Sequence, residues 1–218
     1  PDDRSPCRRA SEIGQISDNG CMSSLSFERT QSVAILGGGP GGYEAALAAA
    51  QLGAEVTLVE RAGVGGSAVI TDVVPSKSLI ATADAAVAIS AAGDLGVNLY
   101  AKGGDGKPQK PQIAINLAAV NKRLLALAGQ QSEDMRSTLL EAGVRIISGH
   151  GRLEGPGAVV ISTDAGGTDF DRVEADTLVV SVGASPRELD SALPDGERIL
   201  TWTQLYDLDE VPEHMIVV

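Results

Sequence analysis

Blocks of apolar and polar residues near residue 31 predict a strand, a helix and a second strand in succession. "SVAIL" (Ser32–Leu36) is a continuous apolar run, as in a strand that is buried in a parallel sheet. "GGGPGG" (37–42) and "YEAALAAAQLG" follow, and they predict a glycine turn and a helix that ends at Gly53. "EVTLVE" (Glu55–Glu60) predicts the next strand, so one βαβ unit occupies about 30 residues.

Two further helices are predicted downstream, separated by a loop. An alanine-rich stretch from Ser76 to about Ala91 predicts the first, with one face formed by Leu79, Ala83, Val87 and Ser90. Residues 92–112, rich in Gly, Pro and Lys, predict the loop. The second helix runs up to Ala142, and its core-facing stripe is formed by Leu117, Val120, Leu124, Leu127, Met135 and Leu139.

The remaining strands predict an α/β protein with a small antiparallel excursion. "VRIISGHG" is a strand that enters a glycine turn, and "AVVIST", "AGG" and "TDFDRVEA" predict a hairpin. "TLVVSVG" (Thr177–Gly183) returns to the buried-strand pattern, and "PEHMIVV" predicts one more apolar strand. A last strand without a cover leaves apolar faces and an edge exposed, so we expect the chain to be the front part of a longer protein.

Composition excludes several classes of partner. The formal net charge of −12 makes nucleic acid an unsuitable partner, because phosphate binding needs clustered Lys and Arg. No apolar stretch approaches the ~20 residues that span a bilayer, and the N-terminus lacks the apolar core of a signal peptide. We therefore expect a cytoplasmic protein without a membrane span.

The first 30 residues show no strand or helix periodicity, and we expect residues 1–30 to be a disordered extension. The two cysteines of the chain, Cys7 and Cys21, lie in this extension without a CxxC motif or a nearby histidine. The sequence therefore predicts no metal site and no redox pair there. Met22 is an alternative start of the chain.

The first candidate for chemistry is a dinucleotide fingerprint. Gly37, Gly39 and Gly42 form G-x-G-x-x-G between a predicted strand and a predicted helix. In this context Gly37 permits the turn, Gly39 lets a pyrophosphate approach the backbone and Gly42 allows close packing. Glu60 ends the second strand, where an acid accepts hydrogen bonds from an unphosphorylated adenosine ribose, as in FAD or NAD. The alternative is a glycine turn with no ligand.

Four motifs in order resemble those of the pyridine nucleotide-disulfide oxidoreductases, a family of flavoproteins. The motifs begin at "VAILGGGPGGYEAALAAAQLGAEVTLVE", "GVGGSAVITDVVPSKSLIA", "GHGRLE" and "TLVVSVGASPRELD", so the resemblance covers about residues 31–218. It implies a Rossmann-like FAD-binding domain over residues 31–188. Residues 189–218 would be a connector and the first strand of a truncated NAD(P)-binding domain.

The resemblance also implies which residues hold FAD. Gly151 matches the glycine whose backbone passes the adenine, and Lys77 matches the lysine beside the flavin, where it tunes N5. A solvated lysine at the start of a helix is the alternative for Lys77. Val182 departs from the family's Thr in A-T-G, before Gly183. The implied cofactor-binding set is Gly37, Gly39, Pro40, Gly42, Glu60, Arg61, Gly66, Ser67, Lys77, Gly151 and Gly183.

The family's redox loop, G-G-T-C-x-x-x-x-C-x-P-S-K, is present here without its cysteines. Gly65, Gly66 and Ser67 match its opening and residues 75–77 its close, while the two cysteine positions hold Ala68 and Val73. Only a thiolate attacks a disulfide, so dithiol exchange is excluded at this loop.

The cysteine-depleted loop resembles that of NAD(P)H:quinone reductases. This implies FAD as cofactor, NAD(P)H as co-substrate, a quinone-like small-molecule acceptor and a homodimer for the whole protein. Two alternatives are a non-catalytic FAD-binding fragment and a lipoamide-type activity through cysteines elsewhere. His150 and His214 are interpreted as structural or exposed, because the family's catalytic His and Glu belong to a C-terminal domain.

Overall fold

A four-stranded parallel sheet lies at the centre of the fold. The computed structural model describes residues 30–100, 106–162 and 170–218. The sheet has the strand order β3-β2-β1-β7, and its strands are β1 (Ser32–Leu36), β2 (Glu55–Glu60), β3 (Arg145–Ser148) and β7 (Thr177–Val180). All neighbouring pairs are parallel, as the continuous apolar runs predicted. The predicted extension over residues 1–30, with Cys7 and Cys21, lies outside the described residues except for Thr30.

A second sheet has three antiparallel strands and confirms the predicted excursion. Its order is β4-β5-β6, with β4 (His150–Leu153), β5 (Ala158–Ser162) and β6 (Phe170–Glu174). The predicted "AGG" turn lies outside the described residues. "VRIISGHG" forms the predicted strand, β3, and the chain then turns at Gly149 and begins β4 in the other sheet. A Cβ at Gly149 would lie 2.7 Å from the carbonyl oxygen of Ser162.

The described residues contain the three predicted helices, one short additional α-helix and two 3-10 helices. They are α1 (Pro40–Gln51), α2 (Gly66–Ile70), α3 (Val73–Ser90) and α4 (Leu117–Glu141), with 3-10 helices at Ala92–Leu95 and Trp202–Asp207. α1 starts at Pro40, which lacks an N–H and has a φ that suits a first helical position. The stretch that matches the redox loop is helical through most of its length, and α3 begins three residues before the predicted Ser76.

Both faces of the parallel sheet are covered. On one face Ile35 and Leu58 pack with Ala46 of α1 and Leu139 of α4 in a fully buried cluster. On the other face Leu36 and Val59 pack with Val159 and Ile161 of the small sheet. The small sheet therefore acts as the second layer of the domain, in place of the helices that usually cover this face.

The stripe predicted for α4 is correct in part. Leu124 and Leu139 are fully buried, but Leu127 is 45% exposed. Asn121 and Ala128 are buried in its place, because the buried face follows spacings of 3 and 4 through these two residues. A polar residue therefore occupies a core position that an apolar stripe cannot predict.

The predicted face of α3, formed by Leu79, Ala83, Val87 and Ser90, is mostly exposed. Pro75 is the only buried residue of this helix, and Val87 is 63% exposed. The stretch Gly66–Ser90 is long and apolar enough to cross a membrane by length and composition alone, with 6% of its window buried. This corrects the expectation that no apolar stretch approaches that length. The stretch is divided between α2 and α3 at Thr71 and Asp72.

A strap formed by residues 201–209 is held against α4. The side chain of Asn121, 3% exposed, donates to the carbonyl oxygens of Leu205 and Leu208 at 3.2 and 2.8 Å. Tyr206 of the strap is buried. Its pKa is raised by that burial and further by the carboxylate of Asp72.

The final predicted strand is wrong for the described chain. Residues Met215–Val218 take part in no ladder, and Ile216, Val217 and Val218 are each at least 88% exposed. An apolar run is stable as a strand only when a neighbour satisfies its backbone groups and a layer covers its side chains.

We expect the Asn121→Ala substitution to lower the free energy of unfolding by about 1–3 kcal/mol, because it leaves two carbonyl oxygens of the strap without their donor. Urea unfolding followed by circular dichroism measures this change. Asn98→Ala, at an exposed position, is the control and should leave the midpoint unchanged. Equal midpoints for the two variants would contradict the role of Asn121.

We expect the turn after Asp195 to loosen in acid. One oxygen of Asp195 accepts the N–H groups of Glu197, Arg198 and Ile199 at 2.8–2.9 Å, and these bonds lower its pKa to about 2. Because the pKa of Asp195 is lowered in the folded chain, its ionised carboxylate stabilises the turn when the pH is above the ordinary pKa of 3.8. This stabilisation is lost as the pH falls from 3.8 towards about 2.

NMR between pH 5 and pH 2, roughly the range over which the Asp195 carboxylate becomes protonated, measures this loss of stabilisation. The readouts are the amide proton chemical shifts and exchange rates of residues 197–199. Asp195→Ala should abolish the protection at every pH. Asp190→Asn, at an exposed carboxylate of the same segment, should leave it intact.

Candidate functional site

A cavity of about 800 Å³ opens at the carboxyl ends of β1, β2 and β7. Ligands of open parallel sheets bind at this edge. The lining residues come from the glycine loop, the end of β2, the helix α2, the β3–β4 junction and the segment after β7. They are Leu36, Gly37, Gly39–Gly41, Val59–Ala62, Gly66, Ser67, Ile70, Thr71, Gly149–Gly151 and Val180–Ser185.

At the glycine loop, residues 37–42, the backbone crosses close to the segment after β7, and we call this contact the backbone crossing. Gly37 has φ +91°, and a Cβ there would lie 2.3 Å from the carbonyl oxygen of Ser181. A Cβ at Gly42 would lie 1.8 Å from the carbonyl oxygen of Gly37. These distances support the roles predicted for both glycines in the turn and in helix packing.

Gly39 faces open space instead. The nearest heavy atom to a Cβ at Gly39 is the Cα of Gly66, at 4.0 Å. Conversely, a Cβ at Gly66 would lie 2.8 Å from the Cα of Gly39, and the Gly65 N–H donates to the carbonyl oxygen of Gly38 at 2.7 Å. The loop that matches the redox loop is therefore joined to the fingerprint by backbone contact.

Glu60 holds the mouth of the cavity in place. One carboxylate oxygen accepts the N–H of Gly38 at 2.6 Å, and the other accepts those of Ala62 and Gly63 at 2.7 and 3.2 Å. Three backbone donors fix the orientation of this carboxylate before a ligand arrives. Its remaining lone pairs can accept hydroxyl groups, and its charge disfavours a phosphate at the same place.

The N-terminus of α1 supplies the complementary charge. No side chain caps this helix, and its first turn contains no acidic residue. The oriented N–H groups of a helix start attract anions such as a pyrophosphate. Room beside Gly39, an uncapped helix start and a preset carboxylate together fit the pyrophosphate and ribose of a dinucleotide.

The structure gathers most of the predicted site residues around the cavity. Lining positions are occupied by Gly37, Gly39, Pro40, Glu60, Arg61, Gly66, Ser67, Gly151 and Gly183. Gly42 lies behind the loop and acts through packing. Packing also requires a glycine at position 151, since a Cβ there would lie 2.4 Å from the side chain of Leu36.

Besides Gly42, three of the predicted positions do not line the cavity. Lys77 lies exposed on α3, so its predicted place beside a flavin stays a prediction. Ala68 is partly buried in α2, and Val73 starts α3 with 40% exposure. Neither side chain can replace a thiolate.

Sequence reasoning missed several lining residues, among them Thr71, His150, Ser181 and Val182 as contributors to the wall. Their signal is positional: Thr71 directly follows α2, Ser181 and Val182 follow β7, and His150 begins β4 with Gly149 alone between it and β3. Within the described ranges no group of three or more His, Cys, Asp or Glu residues could hold a metal ion.

We expect Gly42→Ala to destabilise the domain by about 1–3 kcal/mol, because the new methyl group overlaps the Gly37 carbonyl and the crossing must open. Gly129→Ala is the matched control. Gly129 lies inside α4 with nothing within 4 Å of a Cβ, so this change should stabilise the domain by about 0.5–1 kcal/mol. Chemical denaturation of both variants tests the opposite signs.

Comparison with known proteins finds relatives that are named as dehydrogenases. NAD(P)H dehydrogenase (quinone) of Mycobacterium tuberculosis is 45% identical over 194 residues, which cover 85% of this chain and 37% of that protein. Dihydrolipoyl dehydrogenase of Chlorobaculum parvum is 34% identical over 186 residues, with 85% and 37% coverage. The chain thus spans about 37% of the length of these relatives.

A solved structure agrees with these relatives. The crystal structure of LpdA from Mycobacterium tuberculosis superimposes with a TM-score of 0.72 at 40% identity, over 85% of this chain and 39% of that one. The family model for pyridine nucleotide-disulphide oxidoreductases matches residues 31–218. The chain therefore belongs to the pyridine nucleotide-disulphide oxidoreductase family.

Proposed function

We propose that this chain is the FAD-binding part of an oxidoreductase that passes electrons from NAD(P)H to a quinone-like acceptor without a redox disulfide. One observation carries the proposal. The cofactor cavity and its contact with α2 are intact, while the two positions of the redox cysteines hold Ala68 and Val73. Residues 22–218 contain no other cysteine that could replace them.

The choice of FAD rests on the chemistry of the cavity edge. The uncapped start of α1 and the space at Gly39 suit a pyrophosphate, and the preset carboxylate of Glu60 suits a ribose with free hydroxyl groups. Pro40, Arg61, Gly66, Ser67, Gly151 and Gly183 complete the set that we propose for this cofactor. A bound flavin supplies hydride acceptance and electron release at its ring.

The side chains of α2 and α3 would shape the surroundings rather than react. Ala68 and Val73 offer no proton and no nucleophile, and Val73 leaves an apolar surface that a flat neutral acceptor can contact. Asp72, exposed beside Val73, disfavours an anionic acceptor by charge. These properties support a neutral quinone over a thiol or disulfide substrate.

For the whole protein we propose the domain arrangement that the sequence predicted, with residues 31–188 in the FAD-binding domain and 189–218 leading to an NAD(P)-binding domain. A homodimer is consistent with the exposed apolar residues Ile80, Val87 and Ile89 of α3. A cytoplasmic location stays a prediction.

A second candidate function, non-catalytic FAD binding, needs only the residues of the cavity. All lining residues of the cavity lie within residues 36–185, whereas the match covers 37% of the relatives' length. The two functions differ in whether bound flavin is reduced by NADH or NADPH and reoxidised by a quinone.

We expect the purified chain to bind FAD, seen as flavin absorbance that remains with the protein after gel filtration. Glu60→Gln should weaken this binding about tenfold or more, because either orientation of the amide sets an NH₂ group against a backbone N–H. Glu55→Gln, at the exposed start of the same strand, is the matched control and should bind as the wild type does. A colourless wild-type protein that does not take up added FAD would contradict the proposal.

Anaerobic addition of NADH or NADPH, followed by a quinone, then separates the two functions. Bleaching and recovery of the flavin absorbance support electron transfer, and bound flavin that neither donor bleaches supports the non-catalytic function. Ala68→Cys combined with Val73→Cys tests the loop in the same preparation. If the wild-type chain reduces the disulfide of lipoamide, the proposal of electron transfer without a redox disulfide is overturned.

A further inference from the structure

Six large apolar side chains are exposed in the segment between α3 and α4. Every described residue from Gly93 to Lys110 is exposed. The six side chains are 38–77% exposed, and we call them the loop patch: Leu95, Val97, Leu99, Tyr100, Ile113 and Ile115. A group of exposed apolar side chains marks an interaction site for a protein or a membrane, whereas a single one needs no explanation.

A backbone hydrogen bond brings two limbs of this segment together. The N–H of Gln109 donates to the carbonyl oxygen of Leu99 at 2.9 Å. Tyr100 directly follows Leu99, while Lys110 directly follows Gln109 and Lys107 lies two residues before it. Two cations therefore lie on the limb beside the apolar one.

The fold holds the backbone of the loop patch at both of its ends. At the first end, the N–H of Val97 donates at 2.9 Å to the carbonyl oxygen of Ala92, which is buried. At the second end, the side chain of Asn116 accepts the N–H of Ala119 and caps α4 directly after Ile115. The apolar side chains are thus presented to solvent by an anchored segment.

The local charge is opposite in sign to that of the whole chain. Residues 106–132 contain no Asp or Glu and four basic residues, in a chain with a net charge of −12: Lys107, Lys110, Lys122 and Arg123. Between exposed groups, charges farther apart than about 8–10 Å are largely screened in physiological salt. A charged surface that touches the loop patch therefore meets its lysines rather than the net charge of the chain.

Apolar side chains next to lysines suit the interface of a lipid bilayer. The apolar groups enter the boundary between headgroups and acyl chains, and each lysine is attracted to anionic headgroups. Tyr100 adds an aromatic ring with a polar tip, a combination that is enriched at this boundary. Nucleic acid would use the cations and leave the six apolar side chains in water, so these side chains favour lipid.

We infer that the loop patch, with Lys107 and Lys110, docks this chain on the surface of a membrane that contains anionic phospholipid. The docking is peripheral and needs no membrane span. The inference goes beyond the proposed function and does not rest on it, because no residue of the cavity takes part. Apolar quinones dissolve in lipid, so docking would also bring the proposed acceptor close to the chain.

Cosedimentation of the purified chain with vesicles of phosphatidylglycerol or of phosphatidylcholine tests the inference. The wild type should bind the anionic vesicles more tightly, and added salt should weaken this binding. Lys107→Gln combined with Lys110→Gln should weaken it about tenfold or more, because two attractions to headgroups are lost. Arg187→Gln combined with Arg198→Gln removes the same charge at exposed positions elsewhere and should bind as the wild type does.

A second pair of variants tests the apolar contribution. Leu95→Ser combined with Tyr100→Ser should weaken binding to phosphatidylglycerol about tenfold at constant charge, because less apolar surface enters the bilayer. Leu189→Ser combined with Leu193→Ser is the matched control, since these leucines are 55% and 54% exposed outside the loop patch. Circular dichroism checks that all four variants keep the fold.

Three outcomes would overturn the docking surface. One is a wild-type chain that stays in solution with phosphatidylglycerol vesicles. Another is equal weakening by the lysine pair and the arginine pair, because net charge alone would then explain the binding. The third is a dimer, measured by light scattering without lipid, that Leu95→Ser with Tyr100→Ser dissociates, since a second copy would then cover the patch. Flavin binding and reduction test the proposed function separately.

Discussion

The close backbone crossing at the glycine loop is the constraint on which the rest of the structure depends. Gly37 turns against the Ser181 carbonyl, Gly42 packs on the Gly37 carbonyl, and Gly66 of α2 lies against Gly39. A single Cβ at Gly37, Gly42 or Gly66 would separate elements that now touch. The crossing therefore sets the position of α1, of β7 and of the helix that matches the redox loop at once, and the cavity is the space that these contacts leave.

The retained loop has a structural purpose that is independent of thiol chemistry. Its first helix contacts the fingerprint through Gly65 and Gly66, and α2 and α3 both pack against α4, whose Asn121 holds the strap. Replacing the two cysteines by Ala68 and Val73 removes a reaction without removing any of these contacts. The loop can thus lose its two thiols while the wall of the cavity stays in place.

Strands and the fingerprint were predictable from sequence because their causes are local. The apolar runs of β1 and β2 and the spacing of Gly37, Gly39 and Gly42 depend on neighbours within a few residues. The burial of Asn121, the exposure of Leu127 and the lining role of His150 depend on segments far away in sequence, such as the strap and β2. Met215–Val218 was predicted as part of a strand because the run is apolar. Hydrophobicity alone does not show whether a neighbouring strand is available to pair with it.

The pairing of β1 with β7 has a consequence for the order of folding. Ser32 and Asp176 are joined by hydrogen bonds across 144 residues, whereas β1 meets β2 after a single helix. Closing so long a segment costs more chain entropy, and such contacts slow the search. β1 should thus form its local unit early and wait as an edge until β7 docks. Because Ser181 follows β7 and completes the turn at Gly37, the competence to hold a ligand is acquired at the last step rather than with the first βαβ unit.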